Sequence, residues 1–598
     1  MNLFTKKRKP ILDLRDFIHS LQAHNELCII DTEVDPHLEI AEIHRRVVHE
    51  GGPALLFRTV KGSSFSVATN LFGSERRMEL AFPDSPEKWV SDMIKLATGK
   101  HPPEFSDLWK NRSHLQRLLH LGTKKVKNSP LLECQMHDLE KLPILKCWPE
   151  DGGHFITLPL VYTEPVDQHP TERGAPNLGM YRIQRFDKKT TGLHFQIGKG
   201  GGFHYGHAEW LGKNLPITIF LGGPPALILS AIAPLPENVP ELVLASLLQG
   251  SKLDVSYDAS HPHPLISRAE FALLGHAKPN VRRLEGPFGD HYGYYGLAHE
   301  FPVFRCDKIY HRKEAIYPAT VVGKPIQEDL FIGNYLQKLL SPLIPVVMPG
   351  VKELWSYAET GFHALASAIV KERYEKEALS SAFRILGEGQ LALTKFLLVT
   401  DQNVDLSDIK MVLETILVRF RPQTDLRIFT DTSYDTLDYT GPKLNRGSKA
   451  CLLGLGQEKR KLAGSFSGTL PAPLTKAKAF CKGCLLLQGP QYIEFSDPFK
   501  IIHSAAPAQF EGFPLLILVD DIELSASSAL EFLWTVFTRF EPAGDIYCKS
   551  QTNRHHISYE LPILIDARMK PSYPKECKAD RQTIELVDQK WTSYGISL

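Results

Sequence analysis

Cysteine is scarce. There are nine in 598 residues, an odd number, which does not suit a secreted framework of paired disulfides and predicts free thiols in a reducing cytosol. An excess of one charge is also missing: 69 Lys and Arg stand against 68 Asp and Glu, leaving +1, so no net field draws the chain onto nucleic acid or an anionic membrane face. Long apolar runs are lacking too. The best, 215–236, has the length of a membrane span, but Gly222, Gly223, Pro224 and Pro225 break its middle, and it reads as two buried strands around a turn. The basic start MNLFTKKRKP is followed by ILDLRDFIHSLQ, with charge where a signal peptide needs an apolar core. These absences predict a cytoplasmic protein with no nucleic-acid partner and at most peripheral membrane contact. What is present, 43% hydrophobic and 23% charged residues with Gly 42 and Pro 42, excludes disorder, collagen and coiled coil, and the length allows about four domains.

Along the chain, Leu12, Leu14, Phe17, Ile18 and Leu21 have helical spacing behind Asp13 and Asp16. CIIDTEV, LEIAEIHRRVV and ALLFRTV then alternate strand, helix and strand, an α/β pattern. From about 155 to 320 the runs become short and β-type (ITLPLVYT, GMYRIQRF, GLHFQIG, ITIFLGG, PVFRCDKIY, AIYPATVVG), as in a β-barrel or sandwich. Beyond Pro325 helical periods return in DLFIGNYLQKLL, FHALASAIVKERY and EGQLALTKF, alternating with strands such as LLVTD. We place domains at 1–115, 116–320 and 321–598. One repeat stands out: 397–429 aligns with 514–547 at an offset of 120, pairing Val399/Val519, Asp401/Asp521, Ser407/Ser527, Arg419/Arg539, Phe420/Phe540, Pro422/Pro542 and Asp425/Asp545. The shared residues are mostly turn and capping types, which predicts two βα units side by side in one sheet.

Three stretches could carry chemistry. In LEGPFGDHYGYY (284–295), Gly286, Pro287 and Gly289 force a tight turn that fixes Glu285 and Asp290 relative to each other. Paired, poorly solvated carboxylates repel, so one can hold a proton near neutrality; alone, such a turn reads equally as an exposed acidic loop. In PNLGMYRIQR (176–185) period two sets Met180, Arg182 and Gln184 on one face, and the Asn177 amide oxygen can ligate a cation; a surface strand with a local salt bridge is the alternative. In GLHFQIGKGGGFHYGH (192–207) consecutive glycines and Lys199 could cradle a phosphate, although no nucleotide motif is complete and a flexible hairpin reads as well. His194, His204 and His207 lack a Cys or Asp to complete a zinc set, and Cys481-x-x-Cys484 has no second pair.

Read together, these stretches resemble the UbiD family of prenylated-flavin-dependent decarboxylases. So do DLRDFIHSL, EVDPHLEIAEIHRRV, GGPALLF, VATNLFGS, EDGGHFITLPLVYTEP, PLPENVPE, FPVFRCDKIYHRKEAIYPATVVGKPIQED and LTKFLLVTD, over most of 11–430. The resemblance implies a multidomain α+β and α/β chain whose central domain is a split β-barrel of the flavin-binding type. It implies prenylated FMN, a divalent Mn-like metal and room for a monovalent cation. It matches Asn177 and Glu241 to metal ligands; Met180, Tyr181, Arg182, His194, Phe195, Gln196, Lys199 and Gly200 to cofactor contacts; Lys395 to a lysine reaching the phosphate; and Arg182, Glu285 and Asp290 to the catalytic trio, with Asp290 the proton donor. Implied partners are an aromatic or α,β-unsaturated acid, a UbiX-type flavin prenyltransferase as cofactor supplier, and further copies of the chain in a homodimer or homohexamer whose contacts lie in the C-terminal region. The implied activity is non-oxidative decarboxylation, as in the polyprenyl-hydroxybenzoate or naphthoate step of ubiquinone or menaquinone synthesis. Two departures stand out. Gly198 replaces a histidine sometimes counted as a metal ligand, a place that His204 or water could fill, and the region from 440 on looks like an extension. Both suit the rival reading, a catalytically silent assembly or binding subunit; the intact trio opposes it.

Overall fold

The computed structural model describes residues 10–83, 85–98, 118–167, 175–195, 200–235, 239–504 and 509–597. The chain divides into two compact units, Met1–Leu339 with Glu576–Leu598, and Leu340–Lys575.

In the first unit the helix α1 (Leu14–Ala23) starts where the Asp13 carboxylate accepts from Asp16 N, and it buries Leu14, Phe17, Ile18 and Leu21, the stripe its spacing predicts. The helix α2 (Glu39–His49) follows. Strands β1 (Leu27–Ile30), β2 (Ala54–Phe57), β3 (Ser66–Thr69) and, from much further along, β10 (Ile316–Pro318) form one sheet in that order. The central sheet comprises β4 (Leu160–Thr163), β5 (Asn177–Gly179), β6 (Thr190–Gly192), β7 (Leu215–Leu221), β8 (Phe271–Glu285) and β9 (His299–His311), with order β6-β9-β8-β7-β4-β5 and every pairing antiparallel. The first and last strands of this path do not pair. The sheet is therefore open, and the barrel expected from the sequence is not found closed. β8 and β9 run past their neighbours and bring Glu285 opposite His299. Over this sheet lie α3 (Gly200–Trp210), α4 (Pro225–Ile232) and α5 (Glu241–Gln249), and α6 (Glu328–Leu340) follows β10.

Three sequence expectations fail for the same physical reason, since a short buried run carries no period that separates strand from helix. The second half of 215–236 is α4, started by Pro224 and Pro225, where a missing N–H costs nothing. FHALASAIVKERY, read as helical, contains an interior strand buried on both faces, Leu365–Val370, and EGQLALTKF gives a short 3-10 turn, Gly389–Leu393, and the start of a strand. The helix Arg581–Lys590, assigned by sequence to the C-terminal domain, packs in the first unit.

The second unit holds two five-stranded sheets of one design. In the first, β11 (Val351–Ser356), β12 (Leu365–Val370), β13 (Phe396–Thr400), β14 (Leu426–Ser433) and β15 (Arg446–Gly454) lie in the order β11-β12-β13-β15-β14. In the second, β16 (Lys476–Cys481), β17 (Cys484–Gln488), β18 (Leu515–Val519), β19 (Ile546–Tyr547) and β20 (Ile563–Asp566) repeat it as β16-β17-β18-β20-β19. Both have parallel inner pairs and antiparallel outer ones. The helix α7 (Glu377–Gly387) covers Leu397 and Val399 on one face of the first sheet, and α9 (Phe499–Ser504) covers Leu516 and Leu518 on the second. After the third strand of each come α8 (Ile409–Leu417) and α10 (Ala529–Phe537). The aspartate that ends that strand accepts a backbone N–H from beyond the last one: Gly456 N on Asp401 at 3.1 Å, Met569 N on Asp520 at 2.8 Å. Asp425 accepts from Arg421 N and Asp545 from Glu541 N, at 2.8 and 2.7 Å.

The repeat thus spans two whole sheets rather than two units of one. Its helices keep the spacing seen in the sequence, but the strands stand one residue closer, so the pairs Val399/Val519 and Asp401/Asp521 become Val399/Leu518 and Asp401/Asp520.

Candidate active site

The site grows from the far end of β8. Glu285 is its last residue, and Gly286 turns the chain at φ +97, a conformation that side chains resist. The turn that follows is held from outside. Asp151 accepts from Gly289 N at 2.7 Å and from Trp148 N at 2.9 Å, while Gln184 accepts from Gly286 N at 2.8 Å and donates to Gly152 O at 2.9 Å. Burial pushes the Asp151 carboxyl up to about 6, and sequence reading did not single it out.

Arg182 joins the two acids. Its Nε donates to Glu285 Oε1 at 3.0 Å, its Nη2 to Glu285 Oε2 at 3.3 Å and its Nη1 to Asp290 Oδ2, with the guanidinium over the Phe288 ring at 4.8 Å. All three side chains are buried or nearly so. His194 Nδ1 lies 3.2 Å from Glu285 Oε2. Against burial that would raise it, Arg182 and His194 hold the Glu285 carboxyl low. Asp290 is pulled further down, well below the usual carboxylate range. Burial opposes this, but its Oδ1 accepts from His291 N and faces His291 Nδ1, each at 2.8 Å, and Arg182 adds its charge. Asp329, in the first turn of α6, goes the other way: burial lifts it to about 6, and it feels both His291 and Asp290. Of the acids at this trio it is the one poised to hold a proton near neutrality. Sequence reading named neither His291 nor Asp329; the signal available was their place in GDHYGYY and KPIQED, beside residues that were named.

The expected metal pair also comes together. Glu241, at the start of α5, accepts from Leu178 N at 2.9 Å, next to Asn177 in β5. Burial raises the Glu241 carboxyl with no cation to lower it. Tyr181 hydrogen-bonds Asn177 and accepts from Gly201 N at 3.2 Å, and its ring meets Phe195 edge-on at 5.1 Å. A side chain at Gly200 would run into Asn177 Oδ1, so α3 starts hard against it. Met180 is half-buried in the same segment.

Among the described residues, three buried atoms here lack a partner: Asn177 Nδ2, His194 Nε2 and His299 Nε2. Native structures rarely leave such atoms unsatisfied. These orphans, together with a desolvated carboxylate beside a backbone cradle, fit a polar cofactor with an anionic end and a cation. Among the described residues no group of three or more His, Cys, Asp and Glu is placed to hold a metal. His204 does not complete the set: its Nδ1 bonds Thr163 Oγ1 at 2.8 Å and burial lowers it to about 4. Gln196, Gly198 and Lys199 lie outside the described residues. Lys395 departs from its expected part as a phosphate arm, since in the second unit it is buried with Nζ 2.7 Å from Asp438, its charge already answered.

Comparison with known proteins accords with this geometry. The chain matches three consecutive domains of 3-octaprenyl-4-hydroxybenzoate carboxy-lyase: the N-terminal domain over 18–97, the Rift-related domain over 121–325 and the C-terminal domain over 330–454. Fold and matches define a carboxy-lyase. The chain belongs to the UbiD family. It is 50% identical to a 4-hydroxybenzoate decarboxylase polypeptide of Chlamydia pneumoniae over 97% of this chain and 98% of that one. It is 37% identical to a protein of Archaeoglobus fulgidus over 75% of this chain and 92% of that one. Among solved structures, vanillic acid decarboxylase of Sedimentibacter hydroxybenzoicus shares the fold at TM-score 0.66 and 24% identity, covering 78% of this chain and 97% of that one.

Proposed function

We propose that the chain is a cytoplasmic, non-oxidative decarboxylase of an aromatic acid that works with prenylated FMN supplied by a flavin prenyltransferase. Its substrate is a polyprenylated hydroxybenzoate or the naphthoate counterpart on the way to a quinone. The observation that carries this reading is Arg182 held between Glu285 and Asp290 in a buried site with two orphaned imidazole nitrogens. Asn177 and Glu241 would hold a divalent metal and, through it, the cofactor phosphate, for which their oxygen donors suit a hard Mn-like ion; Tyr181, Phe195 and the backbone at Gly200 would hold the flavin end. Bound there, prenylated FMN supplies an electron sink for the bond broken as carbon dioxide leaves.

The chain's own residues handle charge and proton. Arg182 orients the substrate carboxylate. That carboxylate competes with Asp290 for the guanidinium, so the charge that keeps Asp290 ionised weakens and Asp290 takes up a proton. It delivers this proton to the ring carbon that has lost carbon dioxide, and the net change is a carboxylate and a proton giving C–H and CO2. Asp329 is the neighbouring store of protons near neutral pH, and Glu285 with His194 keeps Arg182 in place.

A catalytically silent subunit would have no use for this clamp. The test is protein co-expressed with a flavin prenyltransferase. Asp290→Asn should keep its flavin absorption and lose on the order of a hundredfold to ten-thousandfold in CO2 release from a polyprenyl-hydroxybenzoate; release at the parent rate with flavin bound would overturn the acid role.

A further inference from the structure

The second sheet of the C-terminal unit lies wholly beyond the family's C-terminal domain, which ends at Gly454, the last residue of β15. It covers the face of the first sheet opposite α7. The seam between them is apolar, and the residues facing each other across it occupy matching places in the two folds: Phe396 with Leu515, Leu417 with Phe537, Leu426 with Ile546, Leu452 with Ile565. The contacts are reciprocal as well. α8 of the first half packs on β16, the first strand of the second, with Lys410 Nζ over the Phe480 ring at 5.0 Å and Glu414 accepting from Lys482 N at 3.0 Å. α10 of the second half packs on Ala358–Thr360, just after the first strand of the first. Such a pattern, in which patch i meets patch j and j meets i, is that of a two-fold interface between identical protomers. Without the second sheet the first would expose a contiguous apolar face of the kind that marks an interaction site.

We propose that residues 457–575 are a built-in partner, taking on the first sheet the place that a second copy of the chain takes in a relative with one sheet. The like-on-like matching across the seam identifies that occupant, because a face covered by its own duplicate is self-complementary. This chain then has no free face there for another copy, and the contacts between copies that the sequence led us to expect in this region are satisfied internally. The inference is independent of the reaction.

The test uses two intact proteins: this chain and the Archaeoglobus fulgidus relative, whose match of 449 residues is 92% of its length, too short for both sheets. Each is made with and without 15N, mixed in equal amounts, equilibrated and photo-cross-linked. In this chain, cross-links between 396–426 and 476–546 should carry a single label at every concentration. In the relative, cross-links joining two copies of the segment matching 396–426 should carry both labels in half of cases. Mixed-label cross-links at the seam of this chain, or none at the matching segment of the relative, would overturn the proposal. A further check is Leu417→Glu: at the matching position it should turn the relative into monomers, and in this chain lower the unfolding midpoint with no change of mass in solution. A mass change in this chain, or none in the relative, would count against it.

Discussion

Ala450 N donates to Lys395 O at 2.9 Å, and Ile563 N donates to Pro514 O at 3.0 Å. The two bonds are equivalent, one at the edge of each C-terminal sheet, yet the residues entering the paired strands differ. The first sheet has Lys395 and Lys449 where the second has Pro514 and Pro562. Lys395 is buried against Asp438, and Lys449 donates to the carbonyls of Ala392 and Thr394 at 2.5 and 3.2 Å. The second copy establishes that strands in this order close without buried ammonium groups. The cations of the first are therefore not demanded by the fold, and buried ion pairs give little net stability in return for their desolvation. What sets the copies apart is what a function would have kept.

The sharpest way to break this contrast is Lys395→Met. It leaves Asp438 buried without its cation, and roughly 3–5 kcal/mol should be lost in urea unfolding of the second unit. The pair Lys395→Met with Asp438→Asn, which imitates the neutral second sheet, should recover most of it. A loss under about 1 kcal/mol for the single variant would mean that the two edges are alike after all. A smaller effect comes from Lys449, which burial lowers from 10.5 to about 8. Between those values the unfolded chain binds the proton and the folded one does not, so stability should rise with pH there, by at most about 1.4 kcal/mol per unit. The rise should vanish in Lys449→Met, and a flat parent profile from pH 8 to 10 would contradict the assignment. The smallest effect tests likeness rather than difference. Asp408 caps α8 by accepting from Lys410 N and Met411 N, and Ser528 caps α10 by accepting from Glu531 N. Replacing either by Ala should cost about 1 kcal/mol, and clearly unequal losses would argue that the copies are not mechanically equivalent.

The site was more legible in the sequence than the sheets around it. Glu285, Asp290 and Arg182 sit in short motifs whose glycines and prolines constrain the backbone by themselves, so residue type and spacing were enough to bring them together. His291 and Asp329 were not legible, because their part depends on burial and on which charges face them, and neither shows in local sequence. The duplication was visible through its turn and capping residues, Pro422/Pro542 and Asp425/Asp545. Its extent was hidden because the strands that complete each sheet, such as Leu365–Val370, are buried on both faces and lose the alternation that identifies a strand.

The helix α11 (Arg581–Lys590) ties the last described residues to α2: Arg46 Nη1 to Asp588 at 2.6 Å, Tyr594 Oη to Glu39 at 2.7 Å, and Lys590 to Glu39. The second unit is thus an insertion in the first, and α2 waits for its last neighbours until more than five hundred further residues have been made. At roughly 5–20 residues per second on a ribosome, the surface of α2 around Glu39 and Arg46 stays open for on the order of a minute. The inserted unit can fold in that interval. Release of the finished chain, rather than synthesis of its first domain, sets the moment at which the catalytic half closes.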